Sequence, residues 1–423
     1  MSLIAATLLA IAQSGQLSRM DGLWDAWLDS PGGRLRFELY LSQTTHRPRR
    51  RRTVPSGWRA DVANASEHVP VPEVQLQEAH LHLAWPHYDS SIESTFDPAT
   101  KMLDGTWSKR AGPDRWTTLP FHARHVGSLH VALSDFDTPF GGRWRAQFSS
   151  DPNPAIALFD GDFGRRLGHD AFPDIAATFL TTLGDYRFLA GHMDANKEGF
   201  SLGCFDGAHA FLFKATLQPD ASLKGDFWSG DSWHETWTAV RDENAKLPDP
   251  FGLTKWNGSA SLASVSFLDV DGKPQSLIKF TGAARMVVLF GSWCPNCNDE
   301  AEFLRELDAK YRERGLSIVG LAFELTGDFA RDAKQVKLYA QRHQLTFPML
   351  IAGTSDKEAA WNSFPLLDEI RAYPTTIFLH GDGRVRAVHQ GYSGPATGAE
   401  HTKLREDFER LIEELLTETD AKK

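Results

Sequence analysis

Cysteine is scarce, with three residues in 423. No disulfide framework can hold a chain of this size on so few. A zinc site of the two-pair kind lacks its second cysteine pair. No internal apolar run reaches the length needed to cross a membrane. Positive charge is not in excess: 45 Lys and Arg stand against 55 Asp and Glu, a formal net charge of −10, which argues against nucleic acid as the main partner. No Gly-rich nucleotide fingerprint is evident, so no cofactor is expected. The one basic run, Arg47-Pro48-Arg49-Arg50-Arg51-Arg52, is short, carries no aromatics and is broken by proline. It reads as a solvated loop.

What is present is enough chain for two or three domains, each with its own core. The N-terminus opens on an apolar stretch from Leu3 to Ala12 that ends Ala10-Ile11-Ala12 before Gln13. Small residues at that spacing suit a signal-cleavage site, although a basic leading segment is missing. Residues 1–20 are therefore expected to be an export signal or a tail. Membrane contact is expected only through that segment, and a periplasmic or cell-envelope location follows from it.

Residues 21–246 read as β. Short apolar and aromatic runs alternate with turn residues, and tryptophan is dense, at positions 24, 27, 58, 85, 107, 116, 144, 228, 233 and 237. This half looks duplicated, over about 22–125 and 141–240. Gly22-Leu23-Trp24 opens one unit and Gly142-Arg143-Trp144 the other. Tyr88-Asp89 in the first answers Phe205-Asp206 in the second. Each unit closes on Gly-x-aromatic, at Gly105-Thr106-Trp107 and Gly225-Asp226-Phe227-Trp228. Two such antiparallel meanders closing on each other as a barrel or sandwich would leave no exposed edges. Asp89, Asp206 and His209 are the polar candidates here, and the repeated aromatic-Asp pair reads as turn chemistry. Cys204 lies between apolar neighbours and reads as a small buried hydrophobe. The sharper alternative is a zinc site of Cys204, His209 and two further thiols.

A polar, proline-containing stretch from Asp242 to Pro250 marks a boundary, and residues 251–420 change character. Val265 to Ile278 reads as a hairpin turning at Asp271-Gly272. Buried strands are expected at Met286–Phe290, Leu316–Phe323 and Phe347–Ile351, and helices at Asp299–Arg314 and Phe329–His343. A terminal hairpin flanks Gly381-Asp382-Gly383. Leu404, Phe408, Leu411, Ile412 and Leu415 place one apolar stripe on a last helix. This alternation makes a mixed α/β sheet flanked by helices.

The strand Met286–Phe290 runs straight into Trp293-Cys294-Pro295-Asn296-Cys297. A C-x-x-C at a strand-to-helix junction reads as a dithiol redox site. The first sulfur would sit among unpaired N–H groups at the helix start, which favours its thiolate. Cys294 is expected to be exposed, and Cys297, one turn further in, to be more buried with the higher pKa.

The segments Val287-Val288-Leu289-Phe290-Gly291-Ser292-Trp293-Cys294-Pro295-Asn296-Cys297, Ala372-Tyr373-Pro374-Thr375-Thr376 and Gly381-Asp382-Gly383-Arg384-Val385 together resemble the TlpA-like disulfide reductases. The likeness covers about residues 255–418. It implies a thioredoxin fold, attack by Cys294 on a substrate disulfide and resolution by Cys297. It further implies a cis peptide before Pro374 that turns the Tyr373 backbone towards the dithiol, and a proton-accepting role for Glu324. Trp293 and Pro295 would flank the sulfurs. Glu300 matches a carboxylate common in the family's active helix and equally suits any first helical turn. Asn298 and Glu302 depart from the family, which often has a basic residue and a proline there. The partners implied are a disulfide-containing protein substrate and an upstream dithiol donor. A redoxin-type peroxidase is the alternative enzyme, but Gly291-Ser292-Trp293 does not match its Thr-preceded cysteine. The remaining alternative is a binding protein whose β half captures a ligand or client.

Overall fold

A computed structural model describes residues 20–43, 57–127, 138–160, 173–258 and 261–420. The apolar N-terminal stretch and the Arg47–Arg52 run lie outside these residues. No helix among the described residues is long and apolar enough to cross a membrane.

The first sheet has nine antiparallel strands. They are β1 Gly22–Ser30, β2 Gly33–Gln43, β3 Trp58–Asn64, β4 Glu67–Pro70, β5 Glu73–Gln77, β6 His80–Trp85, β7 Ser90–Asp97, β8 Met102–Arg110 and β9 Trp116–Gly127. Their spatial order is 4-3-2-1-9-8-7-6-5. Alternation drives them: in β7 the burial runs in step with Ser90, Ile92, Ser94 and Phe96, every second residue, as a half-buried pleat requires.

The second sheet comprises β10 Gly142–Phe148, β11 Ala155–Asp160, β12 Ile175–Thr181, β13 Gly184–Asp185, β14 Leu189–Met193, β15 Gly199–Phe205, β16 Ala210–Leu217, β17 Leu223–Ser229 and β18 Trp233–Arg241. In both sheets the first strand pairs with the last. In both, the indole of the opening tryptophan donates to a carbonyl four residues earlier, Trp24 to Met20 and Trp144 to Phe140.

The two sheets close differently. In the second, β12 pairs with both β11 and β14, so eight strands form a closed barrel. Its interior is filled by Phe148, Phe179, Phe200, Phe213, Phe227 and Trp237, a packed core rather than a ligand chamber. Cys204 is fully buried in that core, and burial holds its thiol well above its ordinary pKa. In the first sheet the strands corresponding to β12 and β14 are not paired, and the sheet stays open as a half-barrel. Residues on the barrel's outer wall fill the opening. Phe205 packs against Phe37, Trp85 and Trp107. The Asn64 side chain bonds both the carbonyl and the N–H of Phe205, at 2.8 and 3.0 Å. The two meanders thus do not close on each other. One closes on itself and plugs the other.

The third sheet is mixed. It contains β19 Ser266–Asp269, β20 Pro274–Ser276, β21 Ala284–Phe290, β22 Leu316–Glu324, β23 Met349–Thr354, β24 Thr375–His380 and β25 Val385–Gln390, in the order 20-19-23-22-21-24-25. β21, β22 and β23 are parallel, β24 is antiparallel to β21, and β25 is antiparallel to β24. The helices are α1 Pro295–Tyr311, α2 Phe329–His343, α3 Lys357–Ser363 and α4 Ala399–Asp420. Every residue of β21 is buried, as expected of a central parallel strand covered on both faces. The stripe Leu404, Phe408, Leu411, Ile412 and Leu415 is buried on α4, where Phe408 meets Phe303 of α1 and Phe378 of β24. This is a thioredoxin-like arrangement. Sequence reading passed over α3, a helix of seven residues with little periodicity to show.

Phe213 is fully buried and stacks on Phe179 and Phe227. Phe213→Ala is expected to destabilise the barrel by about 3–5 kcal/mol, seen as a lower midpoint in denaturant unfolding followed by tryptophan fluorescence.

Candidate active site

Cys294 is the N-cap of α1, extended at φ −90° and ψ 117°, and Pro295 takes the first helical position. Proline suits that position because its missing N–H would have had no partner there. The helix therefore starts four residues earlier than its apolar periodicity suggests, and the dithiol straddles its first turn. The backbone N–H of Asn298 donates to the Cys294 carbonyl at 3.1 Å. The Asn298 side-chain amide donates to the carbonyls of Cys294 and Ser292 at 2.9 and 3.2 Å. Its Oδ1 lies 2.7 Å from Nε2 of His343. Burial lowers His343 to about 4, so the ring is neutral and Nε2–H is the donor. Asn298 thus ties the loop before the dithiol to α2. The helix passes through the exposed Glu302 without a break.

The two sulfurs differ. Cys297 is fully buried, and desolvation, then the hydrogen bond its thiol donates to Cys294, raises its pKa well above the ordinary thiol value. Cys294 is pulled below that value, first by a hydrogen bond from Cys297, against the opposing cost of burial. The backbone N–H of Cys297 and the charge of Lys357 act in the same direction. Cys294 is nevertheless not exposed as expected: 7% of its surface is accessible. The order of burial between the two cysteines is the expected one.

The Tyr373–Pro374 peptide is cis, and the Tyr373 carbonyl oxygen lies 3.5 Å from Cys294 Sγ. The Tyr373 ring is held on three sides. It stacks on Phe323, meets Trp293 edge-on and carries the Lys357 ammonium 4.0 Å from its centroid. Trp293 donates its indole N–H to the Phe323 carbonyl at 2.8 Å. Trp293, Cys294, Pro295, Cys297, Tyr373 and Pro374 therefore converge on one site.

Two carboxylates lie beneath it. Glu324 is fully buried at the end of β22, and burial raises its pKa to about 7. Both of its oxygens are taken by Ser292, through the backbone N–H and the hydroxyl, each at 2.8 Å. Glu300 on α1 is 1% exposed and is pushed up to about 8, mainly by burial and also by the neighbouring Cys294. One of its oxygens accepts from the Thr376 hydroxyl at 2.9 Å, and the other has no partner. Its charge bears on Cys297. Sequence reading placed Glu300 in the first helical turn without a role. Its proximity to the sulfurs comes from the i, i+3 spacing to Cys297, which sets both on one helical face.

The β half reaches the same place. Asp89 and Asp206 do act in turns. Asp89 is left-handed at φ 53° after the turn Pro86–Tyr88, and Asp206 accepts from the backbone N–H groups of Ala208 and His209. Each also makes a long-range ion pair. Asp89 meets Arg331 of α2 at 3.1 Å, and Asp206 meets Arg187 at 3.2 Å. His209 is engaged by Asp206 at 3.0 Å, and Cys204 sits in the barrel core, so neither is directed at the dithiol. Arg187, absent from the expected site, is buried and also pairs with Glu67 at 2.5 Å and with Asp299 of α1 at 2.7 Å.

Residues 257–404 match the Redoxin family. They form a redoxin domain. Among curated proteins, the thiol-disulfide oxidoreductase ResA of Bacillus thuringiensis subsp. konkukian is 30% identical over 117 residues, 28% of this chain and 60% of that protein. The thioredoxin-like protein YneN of Bacillus subtilis is 27% identical over 126 residues, 30% of this chain and 67% of that one. The chain thus spans about 60% of the length of the ResA protein it matches. Among solved structures, a thiol:disulfide interchange protein of the thioredoxin family from Chlorobium tepidum TLS is 26% identical. It covers 36% of this chain and 92% of that one, with a TM-score of 0.28.

The lowered pKa of Cys294 has a direct readout. Alkylation of the reduced protein by iodoacetamide is expected to rise at a pH below that of free cysteine, whose midpoint is about 8.5. Modification should fall on Cys294, with Cys204 and Cys297 spared. Mass spectrometry across a pH series checks both points.

Proposed function

We propose that the redoxin domain is a thiol-disulfide oxidoreductase that works as a reductase on disulfide-containing proteins. The unequal pair Cys294 and Cys297 carries this reading, since thiol-disulfide exchange needs one sulfur ready as thiolate and a second held in reserve. The similarity to ResA, a thiol-disulfide oxidoreductase, points the same way. The Cys294 thiolate attacks one sulfur of the substrate disulfide. A Cys294–substrate disulfide forms, and the other substrate sulfur leaves as thiolate. Cys297 then loses its proton and attacks Cys294 Sγ. The Cys294–Cys297 disulfide forms, and the second substrate sulfur is released. Two electrons have passed from the dithiol to the substrate, and the departing thiolates take up protons. An external dithiol protein returns the pair to the reduced state.

The proton of Cys297 needs an acceptor. Glu300 fits better than Glu324, because its free oxygen is buried beside the sulfurs while both oxygens of Glu324 are committed to Ser292. A pKa near 8 suits a group that takes a proton and gives it back near neutral pH. Glu324 then acts through Ser292, holding the loop that precedes Cys294. The Tyr373 backbone, on the sulfur's other side, is placed to pair with an extended substrate segment. A location outside the cytoplasm belongs to the same reading, since protein disulfides persist there.

Cys294→Ser is expected to abolish insulin disulfide reduction in the presence of dithiothreitol. Retained activity would refute the assignment. Cys297→Ala should instead accumulate a mixed disulfide with the substrate, visible on a non-reducing gel. Glu300→Gln should slow the resolving step by about a hundredfold in single-turnover measurements and leave the alkylation profile of Cys294 in place. The matching Glu324→Gln change should have the smaller effect on resolution.

A further inference from the structure

The first turn of α1 is the surface that a disulfide-bearing partner must reach, and the chain's own β half sits on it. Gly184, between β12 and β14, lies so close to Asn296 that a Cβ at Gly184 would fall 2.0 Å from Asn296 Nδ2. Its φ of +140° adds a second reason for glycine. Three residues on, the Arg187 guanidinium reaches Asp299 of α1, Glu67 of the half-barrel and Asp206 of the barrel. One cation thus joins all three sheets directly over the helix that carries the dithiol. On either side the seam is fastened by Asp89–Arg331 and by Asp185, which accepts from the Gly394 N–H at 2.8 Å.

The cover is one-sided. Among the described residues, the ring and hydrogen-bond partners of Trp293 and Tyr373 are Phe323 and Lys357 of the redoxin domain, and Cys294 keeps its 7% exposure. The seam is also imperfectly paired. Asn296 Oδ1 and Glu67 Oε2 are buried without hydrogen-bond partners, so opening it returns two unsatisfied oxygens to water.

We propose that the β half is a lid over the dithiol, latched by Arg187, and that it selects substrates by size. In the latched form Cys294 accepts small disulfides, whereas a folded protein reaches it only after the lid lifts. This rests on the oxidoreductase reading and adds the substrate discrimination. Exchange requires the two substrate sulfurs and Cys294 Sγ to line up, which a bulky partner cannot achieve against a surface already occupied by Gly184 and Arg187. Arg187 is the specificity-determining residue. Without it, Glu67 and Asp299 face each other with no cation between them, while Asp206 keeps His209, and the two uncompensated carboxylates drive the half-barrel and α1 towards solvent.

Two measurements test this. On the reduced wild-type chain, N-ethylmaleimide and a maleimide carrying a polyethylene glycol chain of several kilodaltons are compared at Cys294. The lid predicts modification by the first and at least about tenfold slower modification by the second, beyond their ratio on free cysteine. Equal normalised rates overturn the proposal. In the second, Arg187→Met is expected to raise the rate of insulin reduction relative to that of a small aromatic disulfide by about tenfold or more. An unchanged ratio in a folded variant overturns it. Failure of the wild type to reduce either disulfide, alongside size-selective alkylation, would sink the oxidoreductase reading and leave the lid standing.

Discussion

The Arg187 guanidinium lies buried among Glu67, Asp206 and Asp299, which belong to the half-barrel, the barrel and the redoxin domain. Asp206 has partners within the barrel, in His209 and two backbone N–H groups. Glu67 and Asp299 would be buried here without a cation if Arg187 were absent, and an unpaired ion in a dry interface is costly. Even with the cation present, burial pushes Asp299 up to about 8 and raises Glu67. The arrangement of the three sheets is therefore coupled to one charge. Asp299 follows Cys297 by two residues, so the same charge stands next to the dithiol.

The asymmetry of the dithiol has a simpler origin. A strand buried on both faces delivers the chain to the start of α1, where Cys294 caps the helix and Cys297 lies one turn inside. The outer sulfur receives hydrogen bonds from its partner and from backbone N–H groups, whereas burial, the bond it gives Cys294 and the Glu300 carboxylate outweigh the one backbone N–H, from Gly291, that favours the inner thiolate. Helix geometry and burial are the main sources of the inequality. The surrounding residues add position. Asn298 fixes the loop and Tyr373 borders Cys294.

Much of this was legible in the residues. The β21 run, the α2 periodicity and the α4 stripe each express one repeating pattern, and such patterns survive in any context that offers a core. The Trp24 and Trp144 openings correspond in structure as they do in sequence. Other features were not legible. Glu324 and Glu300 were weighed by position along the chain, but which carboxylate keeps a free oxygen depends on Ser292 and Thr376. Arg187 sits in Gly184-Asp185-Tyr186-Arg187-Phe188, which reads as an ordinary strand start. Its burial depends on groups more than a hundred residues away in the chain.

The sequence by itself determined the elements, the two-part division into β-rich and mixed α/β segments, and the presence of a strand-to-helix dithiol. These follow from local periodicity, turn chemistry and the geometry of a helix N-terminus. Only the tertiary structure decided that one meander closes while its counterpart stays open, and that the β half packs against the first turn of α1. It also decided that Cys294 is nearly buried. Closure and this packing depend on pairing between distant strands and on a shared buried cation, and neither leaves a periodic trace in the chain.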